Sequence, residues 1–130
     1  MWRSVVAVCV GGTVGCLLRW GLGVWLNTQP SAVPMGTLAA NLIGGYIVGV
    51  AVAFFALNKT LEPAWRLLVI TGFCGGLTTF SSFSAEVVQL LRQERVMWAM
   101  LTVCLNLLGS LLLTFGGIAT VLGLKSATSG

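Results

Sequence analysis

The most informative run of polar side chains inside an apolar setting is Thr71-Gly72-Phe73-Cys74-Gly75-Gly76-Leu77-Thr78-Thr79-Phe80-Ser81-Ser82-Phe83-Ser84. Gly75-Gly76 followed by Thr78-Thr79 makes a poor helix interior. An interruption there frees carbonyls at the end of one half-helix and N–H groups at the start of the next. The N–H end carries positive partial charge and suits an anion. The carbonyl end suits a cation, and broken helices in transporters use both. Phe80 and Phe83 follow at once, one helical turn apart. A phenyl ring has a positive edge, so two rings presented edge-on beside a narrow path can hold a small anion without a fixed cation. Packing in a core or against lipid is the plainer reading of the same two rings. Ser81, Ser82 and Ser84 add hydroxyl donors, and Glu86 is the one acid nearby. Three roles fit Glu86: a pore-mouth residue, a proton carrier or an interfacial acid.

Two further stripes repeat at four-residue spacing, which places their members on one helix face. Thr37, Asn41, Gly45 and Gly49 form the first; Thr102, Asn106, Ser110 and Thr114 form the second. An unpaired amide is costly inside a membrane. Asn41 is therefore either one end of an interhelical hydrogen bond or a donor on an aqueous pathway. A lone Ser or Thr bonds back to its own helix, but a polar row on a helix otherwise built of Leu and Val favours a track. Helix–helix adhesion is the alternative.

The elements that must position these residues follow from composition. The chain has 130 residues, 57% hydrophobic and 8% charged, where soluble chains are about 25% charged. One domain in a bilayer is expected. A helix needs about 20 apolar residues to cross the hydrocarbon. Spans are predicted at about 3–26, 34–57, 64–92 and 96–124, with polar turns at 27–31, 58–63 and 92–95 and a frayed polar tail from Lys125. The apolar runs are too long, and alternate too little, for strands. The first apolar stretch is also too long for a cleavable signal, so it is expected to remain as a helix. Gly11 and Gly15, and Gly45 and Gly49, stand four apart and predict close backbone approach.

Several functions are disfavoured by what the chain lacks. Its net charge of +4 comes from scattered basic residues at the ends of apolar runs, as membrane flanks require, so no nucleic-acid partner is expected. Cys9, Cys16, Cys74 and Cys104 form no C-x-x-C pair and the chain has no histidine, which leaves a zinc site little to build on. With no aspartate and no nucleophile–base pair either, no enzyme activity is expected. Counting charges by side places Arg3, Lys59, Arg66 and Lys125 against Arg92, Arg95 and Arg19. So even a score gives almost no preferred orientation. Insertion both ways with head-to-tail pairing, and a single orientation despite the score, stand level on charge alone.

The residues resemble a known family, that of the CrcB or Fluc bacterial fluoride channels. The resemblance covers nearly the full length. It rests on Gly11-Gly12-x-x-Gly15-x-x-x-Arg19, on Gly36-Thr37-x-x-x-Asn41, and on Gly72-x-x-Gly75-Gly76-x-Thr78-Thr79-Phe80-Ser81-x-Phe83. It implies an all-α membrane protein of four transmembrane helices with a broken third, paired as an antiparallel dual-topology homodimer in the bacterial plasma (inner) membrane. Two pores, each lined by both subunits, carry fluoride. Phe80, Phe83, Asn41, Ser81, Ser110 and Thr114 correspond to the fluoride path, and Asn106 to a track position whose polar residue varies. Arg19 corresponds to a vestibule arginine that attracts anions. The carbonyls of Gly75 and Thr78 correspond to ligands of a structural sodium ion at the dimer interface. Two rivals are weighed against this. A small dual-topology, proton-coupled multidrug-type exporter needs an acid deep in the first span, where this chain has none. A non-transporting scaffold subunit has no use for a broken span and a polar row.

Overall fold

The structure is a computed structural model and describes residues 1–28 and 31–129; Gln29 and Pro30 of the first predicted turn, and Gly130 of the tail, lie outside the described residues. Four apolar stretches are long enough to cross a membrane: Trp2–Leu26, Met35–Leu57, Pro63–Arg92 and Val96–Thr128. The first two are continuous helices, α1 (Trp2–Leu26) and α2 (Met35–Leu57). The third stretch is divided. Its first half, α3 (63–77), starts with Pro63 at the first helical position, where a missing N–H costs nothing. It then winds wide, as a π-helix, over Leu67–Cys74 and returns to α geometry at Gly75–Leu77. Its second half is α4 (Phe80–Arg92), and the chain closes with α5 (Val96–Thr128).

The interruption falls at the threonines and not at the glycine pair. Gly75 keeps helical angles (φ −63°, ψ −36°), whereas Thr78 (φ −78°, ψ 155°) and Thr79 (φ −151°, ψ 120°) are extended. Helical hydrogen bonding persists through the glycines, since Thr78 N–H still reaches the Cys74 carbonyl at 2.9 Å. The ladder ends only where other partners compete for it. The C-terminal end also differs from the sequence reading: α5 continues to Thr128 instead of fraying at Lys125. The Thr128 and Ser129 hydroxyls bond the Lys125 carbonyl at 3.0 and 2.9 Å, which satisfies the end of the last turn.

Small residues set the packing. Gly11 and Gly15 of α1 lie directly on α3. A Cβ on Gly15 would stand 2.7 Å from Leu77 N and overlap the Phe73 carbonyl, and one on Gly76 would stand 2.5 Å from the Gly12 carbonyl. In the same way α2 lies on α5, with Gly45 against Ser110 and Gly49 against Thr114. Residue numbers rise together in both pairs, so α1 runs parallel to α3 and α2 parallel to α5. The pairs join through Asn41 beside Thr79 and Thr37 beside Glu86, where numbers run in opposite senses. Spans alternate in direction, as short connections require. Without a hydrophobic drive between helices in lipid, this close contact is the main source of cohesion.

Candidate functional site

The site grows from the break. An unbroken helix would bond Thr79 N–H to the Gly75 carbonyl and Ser82 N–H to the Thr78 carbonyl. Thr79 N–H donates instead to Asn41 Oδ1, at 2.8 Å. Ser82 N–H donates to Thr79 Oγ1, at 3.1 Å, making Thr79 the N-cap of α4. The usual donors to the carbonyls of Gly75 and Thr78 are thus both diverted. Between them, the Gly76 carbonyl accepts from Arg19 Nε at 3.1 Å, so a cation side chain closes the negative end of α3.

Asn41 is the residue that stitches the interruption to α2. While its Oδ1 takes the Thr79 N–H, its Nδ2 donates to the Thr79 carbonyl (3.2 Å) and to Asn106 Oδ1 (2.9 Å). Asn106 Nδ2 in turn donates to the Thr102 carbonyl at 2.9 Å. These bonds answer the demand that irregular backbone at membrane depth be satisfied by neighbouring protein.

A cavity of about 490 Å³ opens beside the break. Asn41, Thr78, Thr79, Phe80, Phe83, Asn106, Ser110 and Thr114 lie on its wall, together with Gly75, and no charged residue lines it among the described residues. The Phe80 and Phe83 ring centroids are 5.5 Å apart with planes tilted by 60°. Their settings differ sharply: Phe83 is 6% exposed and Phe80 is 73% exposed. Phe83 is therefore held inside the chain, while Phe80 forms an outer edge of the cavity. Thr114 Oγ1 reaches both the Gly45 and Ser110 carbonyls, at 3.0 and 2.9 Å, binding α5 to α2 at the cavity wall.

A second cavity, of about 380 Å³, lies on the far side of Thr79 and is walled by Arg19, Trp20, Thr37, Ser82 and Glu86 among others. Thr79 borders both spaces. The Thr37 hydroxyl donates to Glu86 Oε1, and Glu86 Oε2 is buried without a partner. Arg19 stands here, on the wall of this second cavity.

Of the residues singled out in the sequence, the fold gathers Asn41, Phe80, Phe83, Asn106, Ser110 and Thr114 around one space. Ser81 is exposed and outside both linings, its hydroxyl 3.3 Å from that of Thr79. Three residues named in the sequence take particular roles that it did not assign: Thr79 caps α4 and borders both cavities, Ser82 walls the second cavity, and Thr37 engages Glu86. A signal for Thr79 existed in the chain. A threonine just before an amphipathic segment is a common N-cap.

The chain is similar to known proteins along nearly its whole length. A protein of Nitrosomonas europaea named fluoride-specific ion channel FluC is 58% identical over 127 residues, covering 98% of this chain and 100% of the relative. Proteins of the same name from Chromobacterium violaceum and Albidiferax ferrireducens are 58% and 60% identical, over 92% and 90% of this chain and 95% and 89% of theirs. Residues 6–118 match the family described as CrcB-like protein, Camphor Resistance (CrcB). With its four apolar spans, its divided third helix and relatives this similar along nearly its whole length, the chain belongs to the CrcB family.

Proposed function

We propose that this chain is a fluoride-selective channel that lets fluoride leave the cell down its electrochemical gradient. The observation that carries it is the uncharged cavity at the helix break, where the Phe80 and Phe83 rings stand with Asn41, Asn106, Ser110 and Thr114. Relatives named for fluoride conduction share most of the chain. Fluoride is small and strongly hydrated, so a pore must replace its water with donors. The Ser110 hydroxyl and the ring edges provide weak, multiple sites, from which an ion leaves as readily as it enters, while Asn41, its N–H groups bonded to Thr79 and Asn106, shapes the wall beside them. A path narrow enough to strip the water from fluoride would disfavour chloride, which is larger.

The driving force needs no coupling. Hydrogen fluoride crosses a bilayer as a neutral molecule and ionises inside, where the anion is trapped. A negative interior pushes an anion outward with about 2.3 kcal/mol per 100 mV, so a passive path suffices. In this reading the second cavity is an antechamber, in which Arg19 draws anions toward the break from a wall that it shares with Glu86. The exporter reading finds no support here: Glu86 lies outside the main cavity, bonded to Thr37. No step forms a covalent bond, and the chain acts as a channel and not as an enzyme.

The working unit in this reading is an antiparallel homodimer in the bacterial inner membrane. The even charge score is compatible with insertion both ways, and the exposed Phe80 ring supports a second copy closing the open edge of the cavity. Gly75 is exposed, and beyond its own helical turn the nearest atom to where its Cβ would be is the Ile70 carbonyl oxygen, at 3.9 Å. Among the described residues no close packing against another helix calls for its missing side chain. A structural sodium ion at that interface fits the donors on offer. The carbonyls of Gly75 and Thr78 have lost their helical N–H partners, and oxygen ligands suit a hard cation. When bound, the ion supplies positive charge that ties the half-helix ends of two copies together.

Purified protein in fluoride-loaded liposomes, followed with a fluoride electrode, tests the reading. Fluoride should leave without a pH gradient, while chloride is retained. Efflux that requires a proton gradient, or no efflux at all, would overturn it.

A further inference from the structure

We infer that Asn106 is a positioning residue for the helix break: it holds the Asn41 carboxamide in the one orientation that keeps the interruption stitched to α2. The inference rests on the reading of this cavity as the ion path. Its physical content is a chain of amides anchored in backbone at both ends. Thr79 N–H donates to Asn41 Oδ1 (2.8 Å), Asn41 Nδ2 donates to Asn106 Oδ1 (2.9 Å), and Asn106 Nδ2 donates to the Thr102 carbonyl (2.9 Å).

The direction of that chain is set by its ends. Reversing Asn106 would turn its carbonyl oxygen against the Thr102 carbonyl and its NH₂ against that of Asn41. Reversing Asn41 would set its NH₂ against the Thr79 N–H and its oxygen against the Thr79 carbonyl, which now accepts from Nδ2 at 3.2 Å. Each reversal exchanges attractive contacts for repulsive ones where water is scarce. Both N–H groups of Asn41 are therefore engaged, one by Thr79 and one by Asn106. Asn106 is 4% exposed, so water does not readily replace it as the acceptor. A hydroxyl at this position, one bond shorter, does not span the same two partners. Thr79 divides the antechamber from the main cavity, so a loosened Asn41 loosens the partition between them.

The test separates action through Asn41 from direct contact with the ion. Asn106→Leu keeps the side-chain shape and removes both polar atoms; Asn41→Ser shortens the other member. Fluoride efflux from liposomes should fall about ten-fold in Asn106→Leu. The double variant should be no slower than the slower single variant, within about two-fold. Unchanged efflux in Asn106→Leu, or losses that multiply to about a hundred-fold in the double variant, would overturn the inference. A second readout does not depend on conduction. The Asn41 side-chain amide protons, followed by NMR in asparagine-labelled protein, should exchange with deuterium at least ten-fold faster in Asn106→Leu, or in Asn106→Ser if the leucine variant does not assemble. Equal exchange rates would overturn the inference even in a protein that conducts nothing, whereas failure of wild-type efflux alone would count against the channel reading.

Discussion

The two halves of the third span meet within two residues, yet they solve the membrane problem in opposite ways. α3 is held by what it lacks. Gly72 and Gly76 let its backbone lie against that of α1, and even Gly75 keeps its helical angles. α4 is held by what it bonds: Thr79 caps it, and Asn41 fastens that same residue to α2. Glycine alone did not break the helix, although its low propensity marks it as the weak point. The ladder ended where side chains offered the backbone better-placed partners. In a bilayer, where water provides none, competing partners decide the matter more than propensity does.

That contrast can be broken from either side. The largest effect is expected at the seam: Gly15→Leu drives a side chain into the Phe73 carbonyl and Leu77 N–H. Backbone cannot yield as a flexible side chain does, so the yield of monodisperse protein by size-exclusion chromatography should collapse. Recovery at wild-type levels would show that α1 and α3 are not held by this approach. Next comes the stitch. Asn41→Leu strands the Thr79 N–H and carbonyl, at about 1–3 kcal/mol for each buried group left unsatisfied. Fluoride efflux should drop at least ten-fold and the thermal midpoint should fall, both measurable on the same preparation.

Smaller effects sharpen the comparison. Phe80→Ile or Phe83→Ile removes a ring edge while keeping apolar bulk, so efflux should slow about ten-fold with assembly intact. Unchanged efflux in both would remove the rings from the mechanism. The buried Phe83 should also lower the thermal midpoint more than the exposed Phe80 does. The mildest change is Thr79→Ala, which deletes the cap at a cost of about 1 kcal/mol. It should lower the melting temperature by a few degrees while efflux falls less than in Asn41→Leu. A larger loss than that would move the centre of the break from Asn41 to Thr79.

Much of this was legible in the chain, for a physical reason. Four apolar runs long enough to cross hydrocarbon leave few alternatives to four helices, and four-residue spacing puts Asn41 in line with Gly45, and Asn106 with Ser110 and Thr114, in any helix. Glycine spacing likewise announced close packing before any partner was known. What the partners are is a different matter. Arg19 meets Gly76 across 57 positions and Asn41 meets Asn106 across 65, and no local pattern encodes such meetings. Nor does local propensity choose between Gly75-Gly76 and Thr78-Thr79 as the break, or announce the wide winding of Leu67–Cys74. By itself the sequence determined which faces are polar and which are small, because those depend only on helical periodicity. Only the tertiary structure decided where the third helix parts, because a backbone N–H leaves its ladder only when folding has brought another acceptor within reach.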